Sequence, residues 1–154
     1  MIDPPRITRT EPQLYSVIHL TVPREEMRKV MGPGVTELME AIDAQGLHLA
    51  GPWFTHHLRL DPDTFDFEIG VPVATPVVPT GRVRSGHRPA MRVARTIFRG
   101  AYEGLPDAWG EFDAWIVAEG HAPGPDLWEW YVTGPESSPW PAAWRTELNR
   151  PLVD

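Results

Sequence analysis

Apolar and polar positions change period several times along this chain, and each change marks an element. Tyr15 to Val22 alternates, with Ile18, Leu20 and Val22 on one face and Tyr15, Val17 and His19 on the other, the pattern of a half-buried strand. Pro23-Arg24-Glu25-Glu26 then opens a helical pattern in which Met27, Val30, Met31, Leu38 and Ile42 share one stripe. Gly32-Pro33-Gly34 interrupts it, and an interior proline costs about 3 kcal/mol, so the reading is one turn, a break and a main helix from about Pro33 to Gln45 that stops at Gly46. Strands are expected at 53–60 and 65–71 around the turn Asp61-Pro62-Asp63, and a strand or strand pair over 82–99 with Pro89 as a turn or bulge. A second helix carries Leu105, Trp109, Phe112 and Ile116 to Gly120, and strands follow at 126–132 and about 143–152. Residues 1–13 read as an extended lead-in.

The order strand, helix, strand, strand occurs twice, which predicts an α+β domain built from duplicated repeats over about 14–73 and 82–152, joined by a proline-rich linker at 74–81. Residues repeat too. Glu37-Leu38 with Ile42, Ala44 and Gly46 matches Glu111-Phe112 with Ile116, Ala118 and Gly120, and Glu68 matches Glu147. Pairing Gly51-Pro52 with Gly124-Pro125 makes His56 the counterpart of Glu129. Each half is expected to bury one helix against its strands, the two sheets to join edge to edge or face to face, and a ligand to bind in a cleft at the junction of the repeats.

Composition narrows the function. The 154 residues are 42% apolar and 23% charged, in the range of an ordinary globular domain. Net charge is -7, with thirteen arginines and one lysine. The run Arg82, Arg84, Arg88, Arg92, Arg95 and Arg99 has the spacing of a solvated strand face rather than of a nucleic-acid track. No cysteine is present, which excludes disulfides and thiolate chemistry. No leader or long apolar run appears and little chain precedes the first strand, so a cytoplasmic protein without membrane or direct nucleic-acid binding is expected. Eighteen prolines imply many short elements, and seven tryptophans can fill a core or line a pocket for flat ligands.

Within Asp126–Val132, Leu127, Glu129 and Tyr131 share one strand face, and Trp128 and Trp130 the other, expected under the second helix. An ionised carboxylate in so apolar a strand needs a partner, from the protein or from outside. His56 and His57 point apart on a strand, and nothing nearby completes a metal site, so neither metal nor cofactor is expected.

The ordered set Arg99-Gly100-Ala101-Tyr102-Glu103, Trp115 before Glu119-Gly120, Leu127-Trp128-Glu129-Trp130-Tyr131, Gly134-Pro135 and Trp144-Arg145-Thr146-Glu147-Leu148 with Pro151 resembles the GyrI-like small-molecule-binding family. Asp66-Phe67-Glu68-Ile69-Gly70-Val71-Pro72-Val73 carries the likeness into the first half. The resemblance implies a two-fold pseudo-symmetric antiparallel sheet with two main helices around a concave cleft, and a site there for lipophilic, often cationic, aromatic compounds with Glu129 as its anionic contact. Tyr131, Tyr102, His56, Phe98, Tyr15, Trp53 and Glu68 are candidate lining residues, Phe98 standing where the family commonly has histidine. Three functions compete. The leading one is a binding module acting as sensor or sequestering protein. The second is a hydrolase of strained, electrophilic drug-like molecules using Glu129 as acid or base. The third is a protein-binding inhibitor of the gyrase-inhibitor type.

Overall fold

The computed structural model describes residues 2–153, and the backbone alone at Leu60. Eight strands and two long helices follow in the order β1 (Arg6–Arg9), β2 (Gln13–Pro23), α1 (Met27–Ala44), β3 (Phe54–Leu60), β4 (Thr64–Val73), β5 (Val83–Arg88), β6 (Arg92–Arg99), α2 (Leu105–Ala118), β7 (Leu127–Thr133) and β8 (Arg145–Pro151). Single 3-10 turns cover Arg24–Glu26, Tyr102–Gly104 and Pro141–Ala143. The fold is α+β, and the chain forms two compact units, Glu11–Ala90 and Met1–Thr10 with Met91–Asp154.

In the Glu11–Ala90 unit the strand order is β3-β4-β2-β5, antiparallel throughout. Ile18, Phe67, Ile69 and Val71 pack against Leu38 and Ile42 of α1. In the other unit the order is β7-β8-β6-β1, again antiparallel. There Ala94, Phe98, Leu127 and Leu148 meet Leu105, Trp109, Phe112 and Ile116 of α2. Each unit therefore places the last strand of its repeat between the other two, and adds one outer strand beside the first.

Three local expectations change. The lead-in contains β1, whose four residues pair with β6 from Arg6 opposite Arg95 to Arg9 opposite Arg92. The break at Gly32-Pro33-Gly34 does not occur, and α1 runs through Pro33. Pro33 and Lys29 are both exposed, so the carbonyl that the missing N–H frees lies open to solvent. Gly34 is buried, and a Cβ there would stand 2.7 Å from Ile69 Cδ1, so helix and sheet approach closely and a side chain would have to push the tip of Ile69 aside. Trp128 and Trp130 do not pack under α2. They stack on one another on the opposite face of β7, with ring centroids 6.3 Å apart.

The pairing register also corrects the repeat alignment. Leu49 bridges Val73 as Pro123 bridges Leu152. The Ala50 N–H bonds to the Pro72 carbonyl as that of Gly124 does to Pro151. Thr55 lies opposite Ile69 and Glu129 opposite Leu148, and the bulges fall between His57 and Arg59 and between Tyr131 and Thr133. The residue equivalent to Glu129 is thus Thr55, fully buried, and His56 corresponds to Trp130. Gly51-Pro52 and Gly124-Pro125 are offset by one residue, because a Gly-Pro pair reports a preference for turning rather than a position in the ladder.

Candidate functional site

Glu129 sits at the centre of β7, on the face turned to α2, and is 8% exposed. Trp109, from the apolar stripe of α2, donates its indole N–H to Glu129 Oε2 at 2.7 Å. Tyr131 donates its hydroxyl to Oε1 at 2.7 Å. Among the described residues no lysine, arginine or histidine pairs with this carboxylate. Burial pushes its pKa above the usual carboxylate range, and the bonds from Tyr131 and Trp109 offset part of that rise.

An aromatic path leads away from the carboxylate. The Tyr131 ring meets Tyr102 edge to face at 5.7 Å, and Tyr102 lies on Trp144 at 5.2 Å. Three glycines, Gly100, Gly104 and Gly134, set the space around Tyr102. Gly100 has φ 140°, and a Cβ on Gly104 would come within 2.7 Å of the Phe98 ring, so the turn that opens α2 folds tightly over Phe98. Gly134 lies just beyond β7, and a Cβ there would stand 2.5 Å from the Tyr102 hydroxyl. The β7–β8 loop is fastened by Trp144 Nε1 to the Ser138 carbonyl at 2.9 Å and by the Thr133 hydroxyl to the Ala143 carbonyl at 3.1 Å. Burial, with Glu136 and Glu129 adding to it, pushes the Tyr102 hydroxyl up to about 12, so it stays a neutral donor at ordinary pH. Across β8, the buried Thr146 lies opposite both Tyr131 and Phe98.

The structure thus brings Glu129, Tyr131 and Tyr102 together, with Phe98 in the core beneath the turn that carries Tyr102. Sequence reasoning placed Trp109 in the core only and missed its indole as a donor. Parity groups Leu127, Glu129 and Tyr131 on one face, but nothing in the sequence tells which face of β7 meets α2, so no signal pointed to this contact. The remaining candidates belong to the Glu11–Ala90 unit. His56 Nδ1 lies 3.3 Å from Glu68 Oε1. Tyr15 is buried with its ring 4.5 Å from Phe54 and the Arg88 guanidinium 5.9 Å from its centroid, and burial raises its hydroxyl pKa. Trp53 packs, partly buried, on the core beneath α1. Groups of three or more metal-ligating side chains are absent among the described residues.

Two strand–helix–strand–strand units of the same strand order, one of them holding a buried carboxylate, define a class of α+β domain. The chain matches the GyrI-like small molecule binding domain over residues 3–152 and belongs to that family. The C-terminal domain of EcmrR is 21% identical, with a TM-score of 0.86 and 98% of each chain covered. In the EcmrR–DNA complex the match is 20% identical with a TM-score of 0.85, and this chain spans 57% of the EcmrR chain. SAV2435 bound to tetraphenylphosphonium is 12% identical, with a TM-score of 0.67 over 98% of this chain and 94% of that one. A hydrolase from Listeria innocua is 13% identical, with a TM-score of 0.67 over 97% and 91%. At these identities the likeness is one of fold. Among curated proteins none matches the chain.

Proposed function

We propose that this protein binds lipophilic, aromatic cations next to Glu129, as a sensor or a sequestering protein. The observation that carries the reading is a carboxylate buried among aromatic rings, with an indole and a phenol as its donors and no cation paired to it among the described residues. Such a group is costly to ionise in isolation, and an arriving cation removes that cost. Apolar burial and ring faces would supply most of the affinity, and the carboxylate would select charge. Tyr102 and Trp144 extend the aromatic surface beyond Tyr131. SAV2435, a protein of the same fold, holds a lipophilic aromatic cation.

A second reading has one observation in its favour: a Listeria innocua protein of this fold is described as a hydrolase. In that case Glu129 would act as general acid or base, with Tyr131 steering its proton. Titrating the intact chain with tetraphenylphosphonium while following tryptophan emission tests the leading reading. Saturable quenching with chemically intact ligand supports it. Quenching by a neutral aromatic of similar size at equal affinity contradicts charge selection. Mass spectrometry on a panel of strained electrophiles checks the hydrolase, because conversion that stops in E129Q would favour it.

A further inference from the structure

The corrected register assigns a counterpart in the Glu11–Ala90 unit to each part of the Glu129 site. Thr55 corresponds to Glu129, His57 to Tyr131 and Phe65 to Trp144. Arg24 opens its 3-10 turn as Tyr102 opens its own. Its guanidinium lies over the Phe65 ring at 4.3 Å, as the Tyr102 ring lies on Trp144. Behind Phe65, His57 is buried and stacked on Phe67 at 5.5 Å. The architecture is repeated and the chemistry is inverted, with arginine in place of tyrosine at the mouth and no carboxylate at the base.

At this mouth the surface holds a depression of about 240 Å³ lined by Arg24, Arg59, Asp61, Pro62 and Phe65. Both arginines are held in place by their Nε atoms. That of Arg24 donates to the Pro62 carbonyl at 2.8 Å, and that of Arg59 to Asp66 Oδ2 at 3.0 Å. Arg24 has no ion pair among the described residues. The single lining carboxylate, Asp61, is engaged within its own turn, where Oδ1 accepts the N–H groups of Asp63 and Thr64 at 2.8 and 3.2 Å. Two oriented guanidinium forks beside an aromatic ring and a proline match a flat ligand ending in a carboxylate. The volume lies below that of drug-sized sites and suits a single-ring acid.

We propose that this depression is a second ligand site, separate in chemistry from the Glu129 site, which takes a small aromatic carboxylate between Arg24 and Arg59. Nitrogen-resolved amide spectra of the full chain, titrated with sodium benzoate, benzamide and inorganic phosphate, test it. Benzoate should produce saturating shifts at Arg24 and over 59–65, benzamide none, and phosphate weaker ones. R24Q should weaken benzoate about tenfold or more, the scale of one lost charge-assisted bond, with the response to tetraphenylphosphonium unchanged. If R24Q is unfolded by thermal melt, R59Q replaces it and should also weaken benzoate. Absent or non-saturating shifts, benzamide equal to benzoate, phosphate as tight as benzoate, or full affinity in the folded variant would each overturn the proposal.

Discussion

Glu129 and His57 occupy comparable depths in their units and carry opposite titration signs. Burial raises the folded-state pKa of Glu129, so the stability it contributes is complete below its unfolded value of 4.5 and is lost as pH rises through the folded one. E129Q keeps the shape and an acceptor for Trp109 without the ionisation. It should melt above the parent protein at alkaline pH, with the difference closing as pH falls toward 4.5, in thermal scans across that range. His57 is pushed down to about 4 from 6.5, mainly by burial. The unfolded chain then takes up a proton that the folded chain refuses. Stability should fall as pH drops from 6.5 toward about 4, by an amount on the order of 3 kcal/mol, and level off below. H57F, which retains ring packing against Phe65 and Phe67, should flatten that slope in urea titrations at successive pH values.

At the scale of elements, glycine sets how closely parts approach. A Cβ on Gly70 would fall 2.4 Å from the Phe54 ring and 2.9 Å from Val17, on the central strand of its unit. G70A should therefore cost about 1–3 kcal/mol in denaturant unfolding. G134A acts on the site instead, by driving the Tyr102 hydroxyl from its place beside the β7–β8 loop. It should weaken cation binding severalfold while shifting the melting temperature little, and an unaltered affinity would detach Tyr102 from the site. Both helices and the strands of both repeats were legible in the sequence because each buries one face and its period follows. β1 was not, since its four residues offer a single apolar side chain, Ile7, too little for a period, and it is held by pairing with β6 and by Ile7 on the core. Pro33 misled because it lies on the exposed face of α1, where solvent can take up the freed Lys29 carbonyl while the opposite face packs on the sheet. The side of β7 taken by Trp128 and Trp130 was equally illegible, as two large apolar faces on one strand give parity but not direction. The alignment of His56 with Glu129 failed by a single residue, and on a strand one residue reverses the face.

Across the whole molecule, duplication has kept topology and changed chemistry. Each unit repeats the same strand order and places its bulge at the same point, yet one buries a carboxylate and the other a neutral imidazole. The net charge of -7 favours the approach of cations in general, so the proposed selection rests on the buried group rather than on the surface. Among the described residues no helix is long and apolar enough to cross a membrane. We propose that Glu129 performs this selection of a lipophilic cation. It is tested most directly by calorimetric titration of tetraphenylphosphonium into the parent protein and E129Q at equal ionic strength. Removing one partner of a buried charge pair costs about 2 kcal/mol or more, so E129Q should bind roughly thirtyfold more weakly or worse. Equal affinity in the folded variant would show that Glu129 does not select the ligand's charge.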